Sequence, residues 1–142
     1  MKVSTEIDNN FGYKKITQLV DNISLTAKIV AKSADRTLSL AMAKCKTIGD
    51  VSYDVFKNLF DSFVSPIIEY GAAIWGYTSY SYINAIQLRA CRFVLGVGRY
   101  TPNAAVMGVM GWIPIYHTQW KIISSQWCKL IHNRMNRPTM LV

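Results

Sequence analysis

The residue types in this chain that could do chemistry are cations and aromatic rings. Arg89 and Arg92 stand three apart, Arg99 lies just beyond, and Lys121, Lys129, Arg134 and Arg137 follow. Tyr77, Tyr80, Tyr82 and Tyr100 lie between or beside these charges. Basic groups neutralise phosphates and release counterions, while aromatic faces stack on unpaired bases. The combination points towards nucleic acid. An acidic protein partner would use the same charges, and a solvated basic face with core aromatics would need neither. The density of cations is ordinary, seven Lys or Arg over the last 73 residues. The unusual feature is that these residues hold no acid, because all eight acids lie between Glu6 and Glu69.

Other chemistries find less support. Polymerase and nuclease sites need two or three carboxylates converging on divalent metals. No two acids here are adjacent, and Asp50, Asp54 and Asp61 surround a helix start, where anions favour the helix dipole. Cys128 and His132 are four apart, but a zinc site needs two more ligands, and Cys45, Cys91 and His117 are isolated. No metal, cofactor or small-molecule substrate is expected. The histidines have no nearby acid to orient them for nucleophilic catalysis. The segment Gly71–Thr78 has the glycine spacing of a phosphate-binding loop, yet Tyr77 stands where the lysine should be. Asn22-Ile23-Ser24 fits a glycosylation acceptor but reads better as a helix cap.

Bulk properties bound the answer. At 142 residues the chain is about one domain, and a globule of 16.1 kDa would expose roughly 7,400 Å². With 51% hydrophobic and only 17% charged residues, intrinsic disorder is excluded as the default. Three cysteines make a poor disulfide framework and are expected to be buried thiols in a reducing compartment. No secretory signal is visible, and the charge-free stretches Tyr70–Leu88 and Tyr100–Trp120 are too polar or too broken by proline to span a membrane. The expectation is an intracellular chain, in nucleus or cytoplasm. The mean hydropathy of +0.14 is high for a basic protein, as expected of a piece whose interface with a larger body is uncovered.

The elements that must position these groups are helices. Residues 1–20 show no clear period and read as a loose arm, leaving one helical domain over 21–142. Ile23, Ala27, Val30, Ala34, Leu38, Ala41, Met42 and Cys45 follow helical steps, with Gly49 as terminator. A second helix starts at Asp50 or Ser52, with a stripe of Phe56, Leu59, Phe60, Phe63 and Val64. Ser65-Pro66 marks either a kink or a new start, and apolar residues continue to Gly76. A third runs from about Ser81 to Leu95, stopped by Gly96, and a short one from Thr101-Pro102 to about Met110. Pro114 opens the last, which reaches about Met135. Trp112, Trp120 and Trp127 are read as core. No segment alternates as a strand, so the fold class is all-α, a bundle of five to six helices.

Several ordered blocks resemble one family. Ser65-Pro-Ile-Ile-Glu-Tyr-Gly-Ala-Ala-Ile-Trp-Gly76 is followed by Ile83-Asn-Ala-Ile-Gln-Leu-Arg-Ala-Cys-Arg-Phe-Val-Leu-Gly96, then by Tyr100-Thr-Pro-Asn-Ala-Ala-Val106 and Met110-Gly-Trp-Ile-Pro114. Upstream stands Ala27-Lys-Ile-Val-Ala-Lys-Ser-Ala-Asp-Arg36. Together they resemble the region after the palm in reverse transcriptases of non-LTR (LINE-type) retrotransposons, over about Asp21 to Leu130. The resemblance implies a fragment of a larger polymerase: an all-helical thumb and connector that holds RNA template and growing DNA against the palm. It implies RNA or an RNA/DNA hybrid as partner, together with the palm domain, and no membrane. Carried over, Gln87, Arg89, Arg92, Arg99 and Asn103 are the residues expected to face nucleic acid. The paired palm aspartates are missing, so the chain is expected to be non-catalytic. Two readings stand beside this one: a decayed open reading frame without activity, and a small helical protein-interaction module.

Overall fold

A computed structural model describes residues 2–135, with side chains from Gly12 onwards. The described residues are helices and turns without strands, so the fold is all-α. The elements are α1 (Lys2–Ile48), α2 (Tyr53–Leu59), a π turn (Phe60–Val64), α3 (Ser65–Glu69), α4 (Ala72–Trp75), α5 (Ser81–Leu95), α6 (Asn103–Met110) and α7 (Ile115–Met135). Since α2, the π turn and α3 follow without a break, they act as one bent rod, and the described residues form six helical bodies.

The π turn has a local cause. Pro66 lacks the N–H that an α-helix would direct to the carbonyl four residues back, and its ring crowds that carbonyl. Widening the preceding turn at Phe60–Val64 relieves the clash while the rod runs on, so Ser65-Pro66 marks a deformation inside a helix. Gly71 then breaks the rod at φ +68°, a left-handed conformation that glycine adopts without cost. Gly76 serves differently: a Cβ there would lie 2.5 Å from the Ala72 carbonyl oxygen and 3.2 Å from the Gln119 side chain. Its bareness lets α4 and α7 close on each other.

The upstream segment departs from expectation. Residues 1–20 read as a loose arm, yet from Lys2 they continue α1. No proline occurs before Pro66, and Ile16, Leu19 and Ile23 extend the helical spacing upstream. Thr17 and Thr26 donate their hydroxyls to the carbonyls of Tyr13 and Asn22, as Thr37, Ser39 and Thr47 do further along. These residues therefore spend their polar groups inside the helix instead of capping it. Asn22 lies mid-helix and caps nothing.

The core sits where α1 meets α5 and the bent rod. Ala27, Ala31 and Ala34 present small buried side chains along α1, with the larger Leu38 beyond them, and Ile83, Ile86 and Ala90 meet them from α5. Phe56 and Phe60 add ring contacts, to Phe93 at 5.2 Å and to Trp112 at 4.9 Å. The fully buried tryptophan is Trp75, 1% exposed, whose indole N–H donates to the Tyr70 carbonyl at 3.1 Å. Two of the tryptophans expected in the core are outside it: Trp120 is 42% and Trp127 61% exposed. The reason is that α7 packs only through its first part, with Ile115, Gln119 and Ile123 buried, and every residue from Ser124 to Met135 is exposed. Tyr13 to Asn22 on α1 are likewise exposed. The total accessible surface, 10765 Å², is about 1.4 times that of a globule of this mass.

Candidate nucleic-acid interface

The seam between α1 and α5 carries the cations. The helices run side by side in the same direction: the Tyr82 hydroxyl reaches the Ser24 carbonyl, Arg89 reaches Asp35 and Ser39, and Phe93 lies under the Lys46 ammonium at 5.9 Å. Two grooves open along this seam. One, of about 410 Å³, is lined by Lys28, Lys32, Asp35, Tyr82 and Arg89. The other, of about 540 Å³, is lined by Met42, Arg89, Arg92, Phe93, Val97 and Arg99. They share Ala85 and Arg89, so they form one strip. From Lys28 to Lys46 a helix rises about 27 Å, roughly the axial length of eight duplex steps. Six cations border this strip, Lys28, Lys32, Lys46, Arg89, Arg92 and Arg99, against the single acid Asp35.

The five residues expected to face nucleic acid have different fates. Arg89, Arg92 and Arg99 come together on this strip. Arg89 donates to Asp35 at 2.5 Å and to the Ser39 hydroxyl at 3.1 Å. With side chains 45% and 48% exposed, the Arg89–Asp35 pair is a solvent-screened cross-brace, worth at most about 1 kcal/mol. Arg92 donates to the Thr101 carbonyl at 3.2 Å and to Asn103 Oδ1. Asn103 is thereby bound to Arg92, and the pair fastens the α5–α6 loop. The Arg92 Nε is buried without a partner among the described residues. Arg99 is exposed and makes no hydrogen bond or ion pair among the described residues, which leaves its guanidinium open to a phosphate. Next to it Tyr100 is 97% exposed.

Gln87 is the correction. It is 5% exposed, its amide N–H donates to the Ile113 carbonyl at 2.8 Å, and its Oε1 accepts the Ile115 N–H at 3.2 Å. It is a buried clamp between α5 and the α6–α7 connection and does not face the strip. The reason lies in helical phase: Gln87 follows the buried Ile83 and Ile86 at steps of four and one, on the face that α7 covers.

Three strip residues escaped sequence reasoning as site candidates: Lys28, Lys32 and Lys46. The signal was the four-residue step from Lys28 to Lys32, which places both on one face of α1. The cations expected further downstream lie elsewhere. Lys121, Lys129 and Arg134 are exposed on α7, and Arg137 lies outside the described residues.

The thiols divide. Cys45 and Cys91 are buried, and burial pushes the Cys91 thiol up to about 11. Cys128 is exposed, against the expectation of three buried thiols, because it lies on the uncovered part of α7. Among the described residues no three of His, Cys, Asp and Glu gather as a metal site would require. Asp61 sits in the π turn and pairs with Lys57 at 2.6 Å. No described helix is long and apolar enough to cross a membrane. Comparison with known protein families, curated proteins and solved structures gives no match to this chain.

Proposed function

We propose that this chain is a non-catalytic helical segment that holds RNA template or an RNA/DNA hybrid. It would act as a retrotransposon polymerase thumb does, beside a palm domain carried elsewhere. The observation that supports this most is the α1–α5 strip, with six cations against one acid along about 27 Å. Phosphates would lie against Arg99, Lys46, Lys28 and Lys32, while Tyr100 offers a ring to an unpaired base at the end of the strip. The uncovered apolar side chains of α1 and α7, such as Ile16, Leu19, Trp127 and Leu130, suit contact with such a palm.

The test is fluorescence anisotropy with labelled RNA and RNA/DNA hybrid over a series of salt concentrations. Binding should weaken steeply with salt, and each strip cation removed that contacts phosphate should lower the slope by about one. A salt-independent affinity, or equal loss on removing Lys121 and Lys129 of α7, would refute the assignment.

The uncovered apolar faces also favour a second reading, a helical protein-interaction module. Sedimentation showing a discrete dimer, with no nucleic-acid affinity at low salt, would select it.

A further inference from the structure

On the opposite side of α5 from the Arg99 groove, a cavity of about 440 Å³ opens between the bent rod and the α6–α7 connection. Its walls are aromatic and partly locked. Trp112 donates its indole N–H to the Tyr53 hydroxyl at 2.8 Å and packs on Phe60 at 4.9 Å. The Gln87 clamp fixes the connection that carries Trp112.

One carboxylate in this cavity is not directly paired. Glu69 lines it and makes no hydrogen bond or ion pair among the described residues. The charged and titratable groups facing it are few. From α2 come Tyr53 and Lys57, and from the π turn Asp61; α5 and α7 contribute only the neutral Gln87 and Thr118. Lys57 pairs with Asp61 at 2.6 Å, so the wall holds one cation against two carboxylates. Burial, and then the nearby Asp61, push the Glu69 carboxyl above its ordinary value.

We infer that this cavity binds an organic cation of side-chain size, an alkylammonium, with Glu69 as the counter-ion and the Trp112 and Tyr53 rings as the wall. A desolvated carboxylate is relieved by an incoming positive charge, and an aromatic face attracts the same charge through its quadrupole. A phosphate or a carboxylate would meet repulsion instead, so this site is distinct from the basic strip. A divalent metal would find only the two carboxylates Glu69 and Asp61 in the wall, fewer oxygen ligands than it needs. The ammonium could belong to a free amine or to a lysine of another protein, and the recognition chemistry is the same.

The test follows the Trp112 indole N–H by NMR, assigned with Trp112→Phe. The full chain is titrated with n-butylammonium, with neutral n-butanol as control, and then with a short lysine-containing peptide. The Trp112 signal should shift saturably with butylammonium and stay still with butanol. Glu69→Gln should weaken binding about tenfold, the loss of a charge-assisted contact. Because burial and Asp61 push the Glu69 carboxyl above its ordinary value, wild-type binding should weaken as the pH falls from neutral into the acid range. A peptide that binds far more tightly than butylammonium would assign the site to a lysine on a partner, and equal affinity to a free amine. No saturable shift, an equal shift with butanol, or full binding retained in Glu69→Gln or in acid would overturn the inference.

Discussion

Replacing Gln87 by Leu separates a structural clamp from a nucleic-acid contact. Leucine keeps most of the volume but removes both hydrogen bonds, the 2.8 Å donation to Ile113 and the 3.2 Å acceptance from Ile115. The two losses are unequal. Ile113 is 69% exposed, so water can reach its carbonyl, whereas Ile115 is 8% exposed and its N–H would be left buried without a partner. An orphaned buried group costs about 1–3 kcal/mol, and a bond replaced by water costs less, so the sum is about 2 kcal/mol. For a chain of this size the melting entropy is about 0.3 kcal/mol per degree, which makes the expected drop in Tm about 7 °C. Thermal melting by circular dichroism reads this directly. Below the melting range, the affinity of Gln87→Leu for RNA and the salt slope should match the parent. An unchanged Tm combined with a large loss of RNA affinity would refute the clamp and return Gln87 to the interface.

Four other outcomes are expected. Asp35→Asn should leave Tm within about 1 kcal/mol equivalent, because the ion pair is half-exposed, while raising RNA affinity by freeing Arg89; anisotropy and melting on the same sample check both. Tyr100→Ala should weaken single-stranded RNA by roughly tenfold and blunt duplex hardly at all, with Tm unchanged since the ring is 97% exposed. Gly76→Ala should destabilise by about 2 kcal/mol or more through the 2.5 Å clash with the Ala72 carbonyl, seen as a lower denaturant midpoint. Iodoacetamide at pH 8 should label Cys128 and spare Cys91, whose thiol titrates at about 11, until denaturant is added; mass spectrometry counts the adducts.

Glu69 adds a pH dependence whose sign is fixed. Its carboxyl is harder to ionise in the fold than in the unfolded chain, so above the raised pKa the ionised form detracts from stability, and the penalty disappears as pH falls through that value. Glu69→Gln should therefore melt slightly higher than the parent at neutral pH, and the difference should vanish in acid.

Helix boundaries were legible wherever backbone chemistry is local. The glycine at 96 marks the end of Ser81–Leu95 in the sequence, and it takes φ +63° there; Gly111 and Gly49 stop their helices with positive φ as well. Ser65-Pro66 leaves two readings open, and the fold decides for the kink: the rod runs on through the π turn with both Val64 and Ile68 buried. The upstream part of α1 reads as an arm because its apolar spacing is sparse, and its described apolar side chains Tyr13, Ile16, Leu19 and Val20 are exposed. Trp120 and Trp127 differ from the reading for a related reason: their spacing is helical, but among the described residues nothing covers that end of α7.

The order of residues by itself determined an all-helical chain, its stops at glycine and proline, and a second half without acids. Those depend on backbone preferences and composition, which act over a few residues. Tertiary structure alone decided that Lys28, Lys32 and Lys46 from the nearly neutral half join Arg89, Arg92 and Arg99 on one strip. It also decided that Gln87, two residues from Arg89, turns inward, and that Asn103 is taken by Arg92. Helical periodicity tells which residues share a face. Which neighbour covers that face depends on long-range packing, here of α7 over Gln87 and of α1 beside Arg89.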